Sequence, residues 1–204
     1  MSCRSSPRQA AQGQAAQAQA AQGQAAREQA PGFRLTARRM AAHPAVQTAA
    51  VILMAVAADA ASKAWARHRL SGGRDITLAG GLLRLQLVIN HGAAFGLAAR
   101  YEVVLSAVAL AGFVLLGTWA VRAASGTERF GAALAAAGAL GNLIDRLIRP
   151  PAVLHGGVVD WLHVSFYSPT FNLADVWLRG GLLVAAGGWL WHRRTASRQP
   201  AQAA

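Results

Sequence analysis

Residues 103–121 read VVLSAVALAGFVLLGTWAV, an unbroken run without a single charge. At 1.5 Å rise per residue, a helix of this length covers the roughly 30 Å hydrocarbon core of a bilayer. A buried helix of a water-soluble domain is usually shorter and shows a charged face. Outward from this run lie three further apolar stretches: 45–66 (AVQTAAVILMAVAADAASKAWA), 130–148 (FGAALAAAGALGNLIDRLI) and 174–191 (ADVWLRGGLLVAAGGWLW). Their few charges gather toward one end: Asp59 and Lys63, Asp145 and Arg146, and Asp175 and Arg179. The 130–148 stretch is rich in Ala and Gly, as membrane helices that pack closely are. Four such segments in 204 residues predict an all-α membrane protein with four transmembrane helices.

Charge composition sharpens this reading. The net charge of +12 comes from 20 Lys plus Arg against only 8 Asp plus Glu, and Lys63 is the single lysine. A scarcity of acids fits a chain that sits mostly in lipid. The pI near 11.8 invites a nucleic-acid reading, but the arginines flank the spans instead of forming a basic patch interleaved with aromatics. Cys3 is the only cysteine, which excludes a disulfide framework. Residues 1–43, with the tract AAQGQAAQAQAAQGQAA, carry too few large apolar side chains to form a core and are expected to be a disordered basic tail. A catalytic domain over 44–193 and a short C-terminal tail over 194–204 complete the expected organisation. With four spans both termini share one side of the membrane, and eleven of the 20 cations fall there against nine on the other. Arg34, Arg38, Arg39, Arg122, Arg129, Arg193 and Arg194 abut span ends and favour cytoplasmic termini.

The outer connections have a different character. In 82–90 (LLRLQLVIN), Leu83, Leu85, Leu87 and Ile89 alternate with Arg84, Gln86, Val88 and Asn90, a half-buried strand preceded by a Gly80-Gly81 turn. Between the third and fourth spans Trp161, Phe166, Tyr167 and Phe171 interleave with Ser168 and Pro169, as expected of an interfacial aromatic loop. The expected outer face is therefore a small sheet, or cradle, with an interfacial loop.

Acids at membrane depth are costly and mark functional sites by default. Asp59, Asp145, Asp160 and Asp175 all fall on that outer side. Asp59 has an ordinary explanation, because Lys63 lies four residues on along the same helix face. Arg146 next to Asp145 supplies another. Asp160 has no lysine or arginine within four positions, and Asp175 opens the last span, where the ordinary explanation is the helix macrodipole. Two carboxylates close together in a low dielectric resist joint ionisation, so one retains a proton. That is the arrangement with which an aspartic hydrolase activates water. His155 and His163 are eight apart with no H-E-x-x-H spacing, so no metal site is expected. A proton-coupled transporter would commonly show an internal repeat, and none is present.

The ordered motifs are Asp59-Ala60-Ala61-Ser62-Lys63, the block Asn90 to Gly96 (NHGAAFG), the block Gly138 to Arg146 (GALGNLIDR), Val158-Val159-Asp160-Trp161 and Phe171-Asn172-Leu173-Ala174-Asp175. Together they resemble the lipoprotein signal peptidase (signal peptidase II) family over about residues 45–192. Ala60, His91 and Ala137 depart from the family's usual residues. The resemblance implies a bacterial inner-membrane aspartic endopeptidase that removes the signal peptide from diacylglyceryl-modified prolipoproteins. It implies cleavage just before the lipidated cysteine, at the outer leaflet, without metal or cofactor, and inhibition by globomycin. Asp160 and Asp175 would be the catalytic dyad. Asn90, Asn142, Arg146 and Asn172 would hold the substrate backbone or the dyad. Asp59 and Lys63 would support the site, with Asp145 orienting Arg146. The expected partners are the lipidated prolipoprotein and membrane lipid, with no nucleic acid and the chain acting as a monomer.

Overall fold

The computed structural model describes residues 43–92, 101–151 and 153–197. The N-terminal tail, Cys3, the Arg34–Arg39 cluster and the Ala93–Gly96 part of the NHGAAFG block lie outside the described residues. Four helices and four strands follow in the order α1 (Pro44–Arg69), β1 (Ile76–Leu78), β2 (Leu83–Asn90), α2 (Glu102–Arg122), α3 (Gly126–Ile148), β3 (Val158–Val164), β4 (Tyr167–Phe171) and α4 (Leu173–Ala196). Helices α1, α2 and α3 are long and apolar enough to cross a membrane. Helix α4 has 24 residues and runs past the expected domain boundary at residue 193.

Helix α3 packs against each of the other three. Its small residues explain why. Ala132, Ala133, Ala135, Ala136, Ala137 and Ala139 are buried, and the backbones approach through glycine. A Cβ on Gly138 would stand 2.6 Å from the Leu178 backbone nitrogen of α4. Gly138→Ala should therefore force α3 and α4 apart and cost about 1–3 kcal/mol, read as a lower melting temperature in detergent. Gly187→Ala, on an open face of the same crossing helix with nothing nearby, should leave the melt unchanged or raise it. In contrast to α3, helix α2 exposes Val103, Val104, Val108, Leu110, Val114 and Leu115, an apolar surface suited to lipid.

The strands form one antiparallel sheet in the order β1-β2-β3-β4. The expected strand at 82–90 is present as β2, and its turn uses Gly80 and Gly81 at φ 64° and 95°, conformations that glycine adopts without a Cβ penalty. The segment expected as an interfacial loop is instead the hairpin β3–β4, joined to the same sheet. Its β-branched and aromatic residues favour pleated structure, and Pro169 is accommodated because β4 is an edge strand.

The perfect alternation read along β2 is broken. Leu85 pairs with Leu162 but Val88 pairs with Asp160, so one extra residue of β2 is inserted between them. Such a bulge exchanges the faces of the residues beyond it. Leu85 and the even-numbered Val88 and Asn90 now share a face with Asp160, and Asn90 is carried to the acid.

Candidate active site

Asp160 lies in the middle of β3 and Asp175 in the first turn of α4. The chain between them supplies Asn172, the N-cap of α4. Its side-chain oxygen accepts from the Asp175 N–H at 3.0 Å, and its own N–H donates to Asp175 Oδ2 at 3.3 Å. This capping box fixes the first turn of the helix and the carboxylate with it. The same Asn172 turns its Nδ2 group outward, donating to Asp160 Oδ1 at 2.7 Å and to Asn142 Oδ1 at 3.1 Å. One fully buried asparagine thus holds both acids.

The second oxygen of each acid also meets an amide. Asn90 Nδ2 donates to Asp160 Oδ2 at 2.9 Å, and Asn142 Nδ2 donates to Asp175 Oδ1 at 3.0 Å. Among the described residues neither Asp160 nor Asp175 makes an ion pair. Both line a cleft of about 130 Å³ together with Asn90, Asn142 and Arg146. Burial pushes the Asp160 carboxyl up to about 6; donation from Asn90 opposes the rise and the charge of Asp175 adds to it. A carboxyl so placed exchanges its proton near neutral pH.

Beneath the cleft lies a layer of charge. Lys63 of α1 is 1 % exposed and pairs with Asp59 at 2.7 Å and with Asp145 of α3 at 2.9 Å. It also donates to Asn142 Oδ1 at 3.3 Å. Asp59 reaches α4, accepting from the Ala174 N–H at 2.9 Å. Gly141 leaves room for it, since a Cβ there would stand 2.7 Å from Asp59 Oδ2. The layer ties α1, α3 and α4 together directly under the two acids.

The pairing expected between Asp145 and Arg146 is not formed. Asp145 instead accepts from Lys63, from Arg149 Nε at 2.7 Å and from the Val159 N–H at 3.2 Å. Adjacent residues of a helix point about 100° apart, so Arg149, one turn on, shares the Asp145 face and Arg146 does not. Arg146 reaches the Gly92 carbonyl at 3.0 Å, and Gly92 N–H is held by Asn90 Oδ1 at 3.0 Å. The other terminal nitrogen of Arg146 is buried with no partner among the described residues, and the residue lines the cleft. Asn90, Asn142, Arg146, Asn172, Asp160 and Asp175, with Asp59, Lys63 and Asp145 beneath them, therefore fall in this one assembly. Thr170 and Arg179 also line the cleft and were not anticipated. Arg179 lies four residues after Asp175 on one helix face, and that spacing was the available signal. Its guanidinium rests over the Tyr167 ring at 5.8 Å.

Comparisons with known proteins agree with one another. The family model described as Signal peptidase (SPase) II matches residues 51–190. A lipoprotein signal peptidase of Bifidobacterium adolescentis is 40% identical over 130 residues, covering 64% of this chain and 68% of the relative. One from Bifidobacterium longum subsp. infantis is 38% identical over 140 residues, 69% of this chain and 73% of the relative. One from Mycobacterium tuberculosis is 34% identical over 134 residues, 66% of each. Two solved structures described as bacterial membrane enzymes share the fold. Their TM-scores are 0.64 and 0.60 at 22% and 24% identity, over 78% and 71% of this chain and 94% and 92% of theirs. With membrane-length helices, a family match across most of its length and bacterial relatives throughout, the chain belongs to the signal peptidase II family of proteases.

Proposed function

We propose that this protein is an aspartic endopeptidase of the bacterial inner membrane. In this reading it removes signal peptides from diacylglyceryl-modified prolipoproteins, cutting just before the lipidated cysteine. The observation that carries it is the pair Asp160 and Asp175, held by one asparagine in one cleft with amide partners and, among the described residues, no ion pair. One carboxylate takes a proton from the attacking water while the other, in its acid form, polarises the scissile carbonyl and then protonates the leaving amine. Asp160 is the member suited to hold the proton, because burial raises it to about 6. Asn90, Asn142 and Asn172 keep the two carboxyls at fixed positions, and the unpartnered nitrogen of Arg146 is a donor for a substrate carbonyl. No residue of this mechanism calls for a metal or cofactor.

Helix α4 serves as the fourth span. Its 24 residues measure about 36 Å as a helix, with Asp175 and Arg179 near one end and His192, Arg193 and Arg194 at the other. Both termini then face the cytoplasm and the sheet faces outward, so that the lipidated substrate reaches the cleft from the outer leaflet. Residues 44–193 form the peptidase domain, flanked by tails over 1–43 and 194–204, and the chain acts as a monomer.

The test is cleavage of a diacylglyceryl-modified prolipoprotein by the purified protein, with the product's new N-terminus mapped by mass spectrometry. The expected terminus is the lipidated cysteine, with globomycin blocking its appearance. Cleavage at another bond, or none by folded protein, refutes the reading. The pH profile is a second check. If Asp160 supplies the proton, kcat/KM should fall about tenfold per unit as pH rises above roughly 6.

A further inference from the structure

On the end of the helices that carries the sheet lies a second, larger pocket of about 540 Å³, lined by Arg67, Ile89, His91, Ile148, Arg149 and Pro150. Strand β2 feeds both sites. Asn90 turns into the catalytic cleft, and its neighbours Ile89 and His91 turn to the opposite face, where they pack against Gly157. Arg67 stands in the last turn of α1, and Arg149 caps α3. Ile148, the last residue of α3, is 71 % exposed. The pocket is therefore amphipathic in a definite sense: cations at the ends of two membrane-length helices, and apolar side chains continuing down the helix surface.

The charge is unbalanced toward positive. Arg67 makes no hydrogen bond or ion pair among the described residues. Arg149 gives Nε to Asp145, and no partner is recorded for its two terminal nitrogens among the described residues. His91 pairs through Nδ1 with Glu102 at 3.2 Å, and its ring lines the pocket. The facing acids are thus Asp145, shared with Lys63, and Glu102. Arg67 and Arg149 are two of the nine cations expected on the side opposite the termini, and neither takes part in the proposed proteolysis.

We propose that Arg67, Arg149 and His91 bind the phosphate of an anionic phospholipid from the leaflet beside the sheet, with its acyl chains along Ile148. The occupant is a membrane lipid and not a soluble anion, because Ile89, Ile148 and Pro150 line the pocket beside the cations and Ile148, at the end of a membrane-length helix, is exposed. Basic pockets between helix ends recognise lipid headgroups in this way. The site lies beside the catalytic cleft, separate from the acids, and its occupancy does not depend on the peptidase reading.

The experiment uses the full chain in nanodiscs of phosphatidylcholine with and without phosphatidylglycerol. Melting temperature is the readout, and size exclusion confirms that each variant is folded. Phosphatidylglycerol at about ten times its Kd should raise the wild-type melting temperature by about 4 °C over phosphatidylcholine alone. Arg67→Gln should lose most of that rise and keep the phosphatidylcholine value. Arg74→Gln removes the same charge outside the pocket, where Arg74 bonds Ser71, and should keep the rise. Equal melting in both lipid mixtures overturns the proposal. So does a loss in Arg74→Gln equal to that in Arg67→Gln, which is general surface attraction. A rise produced by inorganic phosphate in phosphatidylcholine discs overturns the lipid assignment.

Discussion

Asp160→Asn and Asp175→Asn are each expected to slow prolipoprotein cleavage by at least about a thousandfold, the range that loss of a positioned acid or base produces. The double variant should be no slower than either single one, because the two groups act as a unit. Both should stay folded, for reasons that differ. Asp160 has a folded pKa of about 6 against 3.8 for an unburied carboxyl. The folded state therefore binds more protons between these values, and stability falls as pH rises from about 4 to 6. Above 6 the full cost is present, up to about 3 kcal/mol. Asparagine removes that cost, but its NH2 group must then face a donor from Asn90 or Asn172, which offsets part of the gain. Asp175 sits in the first turn of α4, where its charge favours the helix N-terminus, so Asp175→Asn should lower the melting temperature slightly. Single-turnover cleavage and a thermal melt on the same preparations decide the matter. A variant with activity within tenfold of wild type removes its residue from the dyad.

Asp160 could be singled out from sequence because it has no lysine or arginine within four positions, and no fold is needed to see that; Asp175, with Arg179 four residues on, stood out by the Phe171-Asn172-Leu173-Ala174-Asp175 motif instead. Three of the four expected spans, those matching helices α1, α2 and α3, were equally open to reading, since a charge-free run such as 103–121 has few alternatives. What sequence could not supply is how the acids are held. Asn90 reaches Asp160 only because an extra residue in β2 exchanges faces, and strict alternation in 82–90 gives no sign of it. The aromatic segment before α4 was taken for a loop at the headgroup level, and it is a strand pair; Trp, Phe and Tyr suit both settings, and only pairing with β2 decides. The partner of Asp145 was misplaced for a simpler reason. Adjacency in sequence suggested Arg146, whereas helix geometry favours Arg149 at four residues' distance and Lys63 from another helix.

Lys63→Met should be the most destabilising single change in the helix layer. Methionine keeps much of the length and apolar stem of lysine but removes the only cation between Asp59 and Asp145, at 2.7 and 2.9 Å. Asp145 retains Arg149 at 2.7 Å, whereas Asp59, 2 % exposed, keeps only the Ala174 N–H. Breaking one side of a buried pair costs about 3–5 kcal/mol, because the remaining charge is left without compensation. In a protein of this size that is a fall in melting temperature of roughly 10 °C. Adding Asp59→Asn to Lys63→Met removes the stranded charge and should recover most of the loss. Activity should not follow. Lys63 also donates to Asn142 Oδ1, and Asn142 in turn donates to Asp175, so without Lys63 that amide is held at its oxygen by Asn172 Nδ2 alone and is less firmly aimed at the carboxylate. The double variant should therefore melt near wild type and still cleave slowly, a separation that a purely structural role for Lys63 does not produce. If Lys63→Met melts within about 2 °C of wild type, the buried charge layer is not what holds α1, α3 and α4 beneath the acids.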